Sequence, residues 1–205
     1  MNAKEVAMKK RLIGFLLILG LMFPLHVYSA VPLETVKAHV SRVFEVLRDP
    51  ALKGESGNKA KREKIRSISE EMFDYTELSK RSLGQNWNKL NPGQQTEFIQ
   101  LFKSLLEDTY ADKIISYTDE KVIFKKETSL SEKTVEVQTT IVTKTSEVPI
   151  NYRVIEKNGE WKVYDVVIEG VSLISNYLSQ FREILANKPP EALLETLRKK
   201  VGKTS

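Results

Sequence analysis

The fold is decided by residues 148–168, which read VPINYRVIEKNGEWKVYDVVI. Two runs in which apolar and polar side chains alternate flank Asn158-Gly159, a dipeptide favoured in two-residue hairpin turns. Counting outward from that turn gives the pairs Glu156–Trp161, Val154–Val163, Tyr152–Asp165 and Ile150–Val167. One face of the predicted hairpin is then almost entirely apolar, so helices are expected to cover it.

The spacing of apolar residues assigns the rest of the chain to strands or helices. Alternation at 121–127 and 133–144 predicts two further strands, which together with the hairpin form an antiparallel meander. Spacing near 3.6 residues predicts helices before the sheet, including stripes at Val36, Val40, Val43, Phe44 and Leu47 and at Ile65, Ile68 and Met72. The predicted class is α+β, with a helical part at 33–117, a sheet at 121–168 and C-terminal helices at 171–201.

The longest predicted helix has a distinct start. Asn91-Pro92-Gly93-Gln94 supplies an asparagine cap, a proline at the first helical position and a glutamine at the third. Phe98, Phe102 and Leu105 follow at helical spacing.

The N-terminus has the pattern of a secretory signal peptide. Met8-Lys9-Lys10-Arg11 precedes an apolar run at 12–25, and that run is shorter than the roughly 20 residues of a membrane-spanning helix. We expect cleavage after Ser29, with Ala30 as the alternative. Residues 1–29 are therefore assigned to the signal peptide and 30–205 to a single exported domain; the competing interpretation is an uncleaved anchor.

Charge and composition argue against several functional classes. After residue 29 the chain has 28 basic and 26 acidic residues, whereas a DNA-binding face needs clustered, uncompensated cations. Cysteine is absent, and His39 is a lone histidine outside the signal, which we interpret as a solvated surface residue. Gly202-Lys203-Thr204 lacks the glycine spacing and following helix of a phosphate loop. We expect no cofactor, metal or nucleic acid.

Asp165 is the one carboxylate that we weigh as a catalytic group. On an apolar sheet face it would be placed as a general base, as in pocket enzymes with curved sheets. The alternative is structural: the carboxylate accepts hydrogen bonds from Tyr152 or from backbone amides at the helix start before Ser172. We favour the structural interpretation and expect that the protein is not an enzyme.

Two blocks of the sequence resemble the MlaC, or toluene-tolerance, family. The helical block is similar in order and spacing at Phe73-Asp74-Tyr75, Leu83-Gly84, Trp87, Gln95, Phe98, Phe102, Leu105-Leu106 and Thr109-Tyr110. The later and more specific block is similar at residues 161–166 and 168–173, at Asn176-Tyr177 and at Gln180-Phe181. The resemblance covers most of the chain after residue 29.

The resemblance implies an NTF2-like fold, in which a curved four-stranded antiparallel sheet and helices over one face enclose an apolar pocket. Phospholipid acyl chains would lie in that pocket, with the headgroup outside. It also implies a periplasmic carrier that exchanges lipid with an outer-membrane lipoprotein complex and with an inner-membrane ABC transporter containing an MCE-domain subunit. An NTF2-like small-molecule enzyme using Asp165 and an envelope adaptor with a filled core are the alternatives.

We expect acyl chains to contact the apolar sheet face and the helices opposite. The candidate lipid-binding residues are Leu101, Leu105, Tyr110, Ile114, Val137, Tyr152, Val154, Trp161, Val163, Val167, Ile174 and Leu178. A buried methylene is worth about 0.8 kcal/mol, so exposing a chain of about 16 carbons to water costs on the order of 12 kcal/mol. An apolar pocket removes most of that cost.

Overall fold

The computed structural model describes residues 31–117 and 120–202, so the predicted signal peptide and its cleavage site lie outside the described residues. The helices are α1 (Pro32–Arg48), α2 (Glu55–Met72), α3 (Tyr75–Leu83), α4 (Pro92–Ile115), α5 (Leu173–Ala186) and α6 (Pro190–Val201). The strands are β1 (Lys121–Ser131), β2 (Thr134–Val142), β3 (Glu147–Lys157), β4 (Glu160–Ile168) and β5 (Val171–Ser172). Within these ranges, no helix combines the length and apolarity that a membrane span requires.

The strands form one antiparallel sheet in the order β1-β2-β3-β4-β5. This confirms the α+β class, and the predicted four-stranded meander gains a two-residue fifth strand directly before α5. Asn158 and Gly159 have φ angles of 54° and 84°. Both central residues of the β3–β4 turn thus have a left-handed backbone conformation, as a type I′ turn requires.

The predicted register of β3 and β4 is correct near the turn and wrong farther from it. The confirmed pairs are Glu156–Trp161 and Val154–Val163, together with Ile155–Lys162. The predicted pairs Tyr152–Asp165 and Ile150–Val167 are wrong, because the structure pairs Arg153 with Asp165, Tyr152 with Val166 and Ile150 with Ile168. Tyr164 is the extra residue of a β-bulge between the two regions.

The bulge exchanges the faces of all later β4 residues, because side chains alternate along a strand. Val166 shares the apolar face with Tyr152, where Val167 was predicted to lie. Asp165 shares the opposite face with Arg153. The predicted position of Asp165 on the apolar face is therefore wrong.

The buried side chains form two hydrophobic clusters. The sheet cluster joins α1 and the end of α2 to the apolar sheet face and contains Val36, Val40, Met72, Val137, Val154, Val163 and Val166. The helical cluster joins α3 to α6 and contains Leu78, Leu83, Leu90, Phe98, Phe102, Leu106, Tyr177, Phe181, Leu185, Leu193, Leu194 and Leu197. Aromatic rings are the centre of the second cluster, with the Phe102 ring 4.8 Å from that of Tyr177 and 5.2 Å from that of Phe181.

The start of α4 is the predicted one. The Gln94 amide N–H donates to Asn91 Oδ1 at 2.9 Å, and the Asn91 N–H donates to Gln94 Oε1 at 3.1 Å. These reciprocal bonds form a capping box. From this fixed start the helix continues for 24 residues, or about 36 Å, which is long enough to contribute to both the helical cluster and the site described below.

We expect Gly159→Ala to lower the free energy of unfolding by about 1–2 kcal/mol, because alanine is strained at positive φ. A Cβ at this position meets no atom within 4 Å, so the loss is conformational. Urea denaturation measures it. Glu160→Ala, at the exposed neighbouring position, is the control and should change stability by less than about 0.5 kcal/mol; equal effects of the two substitutions would contradict this account of the turn.

Candidate functional site

A cavity of about 640 Å³ lies between the sheet and the helices. Its volume is within the range of roughly 300–1,000 Å³ that is usual for ligand pockets. The walls come from both hydrophobic clusters, since Val40, Met72 and Val166 belong to the sheet cluster and Leu78 and Leu106 to the helical cluster. The cavity is thus the space that the two clusters leave between them.

Most of the cavity wall is apolar. From α1 to α4 it includes Val40, Val43, Phe44, Leu47, Ile65, Ile68, Met72, Phe73, Leu78, Leu106, Tyr110, Ala111, Ile114 and Ile115. From the sheet and the start of α5 it includes Ile141, Val148, Ile150, Tyr152, Val166, Ile168 and Leu173. Helical spacing places the α1 residues on one stripe, and strand alternation places the β3 residues on one face.

Three of the predicted lipid-binding residues line this cavity: Tyr110, Ile114 and Tyr152. Leu101, Leu105 and Ile174 pack against the helical cluster instead. Val137, Val154, Val163 and Trp161 belong to or pack against the sheet cluster. Leu178 lies beside Gly84 at the end of α3, and Val167 is buried on the opposite sheet face. The part of these residues in lipid binding stays a prediction.

The sequence interpretation missed the walls supplied by α1 and α2. Their apolar stripes are evident in the sequence, and they correctly predict amphipathic helices. A stripe, however, does not show whether its helix covers a filled core or an open space. The bulge at Tyr164, which brings Val166 to the cavity in place of Val167, has no comparable sequence signal.

The charged residues of the cavity wall all lie on α2 and α4, and we call them the α2–α4 rim: Arg62, Arg66, Glu107, Asp108, Asp112 and Lys113. Arg62 forms an ion pair with Asp112, and these side chains are 42% and 81% exposed. Arg66 Nε lies 3.0 Å from Glu107 Oε2. Because most of the rim residues are exposed, the cavity wall reaches the protein surface on this side.

A polar network connects Glu107 of the rim to neighbouring side chains on α2, α3 and α4. The Tyr75 hydroxyl is 3.1 Å from Ser69 Oγ, and the Ser69 hydroxyl is 3.5 Å from Glu107 Oε1. Lys103 Nζ lies 3.9 Å from the same carboxylate. Burial raises the pKa of the Glu107 carboxyl, and the cationic Lys103 and Arg66 oppose that shift. The network ties α2, α3 and α4 together beside the cavity.

Tyr152 is the polar group that β3 places in the cavity wall. Burial raises the pKa of its phenol to about 12, and Tyr117 contributes in the same direction. The side chain is therefore neutral at physiological pH. A neutral phenol among aliphatic side chains suits an uncharged, largely apolar ligand.

Asp165 does not line the cavity, and its contacts support the structural interpretation. Its Oδ2 lies 3.2 Å from Arg153 Nη1 and accepts a hydrogen bond from the Ser172 hydroxyl at 2.7 Å. Its Oδ1 accepts a bond from the Ile174 N–H at 3.1 Å. The donors are the helix start and an arginine, and Tyr152, which we had considered as a donor, lies on the other face.

His39 differs from its predicted environment. It is half-buried on α1, and its Nδ1 is enclosed without a hydrogen-bond partner. Burial lowers the pKa of the imidazole, and the nearby Arg42 adds to the shift. The predicted surface histidine is therefore only partly solvated. Across residues 31–117 and 120–202, no three His, Asp or Glu side chains converge as a metal site.

Comparison with known proteins places this fold among phospholipid-binding relatives. The family model described as MlaC protein matches residues 37–199. The intermembrane phospholipid transport system binding protein MlaC of Haemophilus influenzae is 26% identical over 121 residues, which are 57% of this chain and 56% of that protein. The aligned region is thus little more than half the length of that relative.

A solved structure matches over more of the chain. It is the phospholipid-binding protein from Ralstonia solanacearum in complex with a phospholipid, and it is 25% identical with a TM-score of 0.75. The alignment covers 85% of this chain and 99% of that structure.

We expect removal of the Asp165 carboxylate to be strongly destabilising. Asp165→Ala leaves the buried Ser172 hydroxyl and the Ile174 N–H without their acceptor, and it removes one of the two carboxylates that pair with Arg153, so the free energy of unfolding should fall by about 3 kcal/mol. Urea denaturation measures the change. Glu183→Ala, at an exposed acidic position of α5, is the matched control, and a loss no larger than the control's would refute this role.

The shifted pKa of Tyr152 predicts a pH dependence of stability. The phenol has a pKa of about 12 in the folded chain and 10.0 when unperturbed, so ionisation favours the unfolded state. Its stability contribution is complete below pH 10 and is lost as the pH rises toward 12. Between these values wild-type stability should fall more steeply than that of Tyr152→Phe, by up to about 1.4 kcal/mol per pH unit. Parallel denaturation profiles would contradict the assignment.

Proposed function

The chain belongs to the MlaC family, and from this premise we propose that it is a phospholipid carrier that holds acyl chains in the cavity between its sheet and helices. The single observation that carries the proposal is the apolar cavity with charged groups on one side only. The Haemophilus relative is described as a phospholipid transport binding protein, and the Ralstonia structure contains a phospholipid. Both support the same ligand class.

The size of the cavity suits an acyl chain. One water, a group close to a methylene in size, takes about 30 Å³ in the liquid, so about 640 Å³ corresponds to on the order of 20 such groups. One chain of about 16 carbons fits that volume.

The proposed site of action is the periplasm, reached through the predicted signal peptide at 1–29. There the protein would move phospholipid between the outer and inner membranes. The partners that we propose are those implied by the family resemblance, an outer-membrane lipoprotein complex and an inner-membrane ABC transporter with an MCE-domain subunit. Because shielding the acyl chain removes a cost on the order of 12 kcal/mol, the carrier itself needs no nucleotide, and the transporter would supply the energy.

The two alternatives have less support. The enzyme that we considered would use Asp165 as its general base, but Asp165 lies outside the cavity wall and is engaged by Arg153 and the start of α5. An adaptor that only docks other proteins would have no use for a cavity of about 640 Å³. We therefore propose a binding protein without catalytic activity.

A bulky side chain in the cavity wall should strongly reduce lipid binding while leaving the fold intact. Protein purified without detergent should contain about one phospholipid per chain, as expected when one lipid occupies this cavity. Ala111 lies in the cavity wall on α4, so Ala111→Trp would occupy the space of the acyl chain, and the lipid content should fall at least about tenfold. Mass spectrometry of extracted lipid measures the content, and thermal unfolding monitors the fold.

Ala38→Trp is the matched control, because Ala38 is exposed on α1 and lies outside the cavity wall. It should retain the wild-type lipid content. A wild-type protein that is free of lipid and takes up none from vesicles would overturn the proposed function. So would an Ala111→Trp variant that is folded and fully loaded.

A further inference from the structure

The charges of the α2–α4 rim are balanced. Arg62, Arg66 and Lys113 are basic, whereas Glu107, Asp108 and Asp112 are acidic. A rim built to attract anionic lipid would carry an excess of cations, because charge complementarity sets electrostatic specificity. This balance instead suits a ligand that has both charges and no net charge.

The two principal ion pairs of the rim differ in how firmly they are held. The Glu107 side chain is 12% exposed and also lies near Ser69 and Lys103, so its pair with Arg66 belongs to the supporting network. The pair of Arg62 with Asp112 is much more exposed, at 42% and 81%. Exposed ion pairs contribute little net stability, and a ligand can therefore displace this pair at small cost.

We propose that Arg62 and Asp112 form a subsite for a zwitterionic phospholipid headgroup that carries a primary amine next to its phosphate, the chemical class of phosphatidylethanolamine; this inference rests on the proposed function. Arg62 binds the phosphate, since guanidinium is the best side-chain match for that group. Asp112 then accepts hydrogen bonds from the ammonium group. One ion pair is exchanged for two, and no charge is left unpaired.

The same geometry disfavours an anionic headgroup. The phosphate of a phosphatidylglycerol headgroup can also bind Arg62, but this headgroup has no cation to pair with Asp112. Asp112 then faces the phosphate as a like charge, which is a repulsive element against that class. The subsite thus selects between headgroups, while the apolar cavity supplies the affinity for the chains.

In the experiment, the delipidated protein, comprising residues 30–205, is incubated with vesicles. The vesicles contain equal amounts of phosphatidylethanolamine and phosphatidylglycerol with the same acyl chains. Lipid extracted from the re-isolated protein is quantified by mass spectrometry. Wild-type protein should hold about two- to fivefold more of the amine-bearing lipid, the selectivity that one exposed ion pair supplies. Asp112→Asn should abolish that preference. Arg62→Gln should weaken retention of both lipids but leave the preference for the amine-bearing lipid unchanged.

The controls remove the same charges from α2 outside the cavity wall. Glu63→Gln and Lys59→Gln lie at exposed positions that do not line the cavity, and both should keep the wild-type ratio and amount. A wild-type ratio equal to that of the vesicles would overturn the inference while leaving the proposed function intact. So would an Asp112→Asn ratio no different from that of Glu63→Gln, whereas no uptake of either lipid by the wild type would overturn both.

A further experiment tests whether the subsite binds a lipid headgroup or a free phosphate compound. Soluble glycerophosphoethanolamine has the same charged groups and no acyl chains. It should not displace bound phospholipid at equal concentration, because the subsite adds selectivity to an affinity that comes from the chains. Displacement under those conditions would overturn the assignment to a lipid headgroup.

Discussion

The carboxylate of Asp165 accepts hydrogen bonds from Arg153 on β3, from the Ser172 hydroxyl on β5 and from the Ile174 N–H in α5. It is 1% exposed, so water cannot replace these partners. Three consecutive pieces of structure are thereby fixed to one another: the bulged part of β4, the short fifth strand and the start of the helix that carries part of the helical cluster. The register beyond the bulge, and with it the face on which Val166 lies, depends on this contact.

The two ends of α4 have different surroundings, and this difference accounts for the cavity. Near its start, Phe98 and Phe102 are fully buried in the helical cluster. Toward its end, Tyr110, Ala111 and Ile114 line the cavity. The sheet cluster on the other side is built mainly from valines, and Val40 and Val166 of that cluster line the cavity. Two well-packed regions are thus held apart, and the space between them is lined by apolar groups.

The sequence was sufficient for local features and insufficient for the packing between elements. Asn158-Gly159 and the capping box at Asn91 are local signals, and the structure has both as predicted. The bulge at Tyr164 was not predictable from alternation, since Val166 and Val167 are chemically identical and only tertiary contacts of Asp165 decide which faces inward. For the same reason, the α1 and α2 stripes indicated helices without revealing that they line a cavity.

An apolar cavity of this size is itself an energetic constraint on the protein. As a dry, unrelaxed void, about 640 Å³ would cost on the order of 15 kcal/mol at about 24 cal/mol per Å³, which is comparable to the entire stability of a typical domain. Water that enters beside the exposed Arg62 and Asp112 of the α2–α4 rim would lower that cost. In the proposed carrier, an acyl chain then displaces this water and completes the core that folding leaves unfilled, so lipid binding and folding stability are thermodynamically linked.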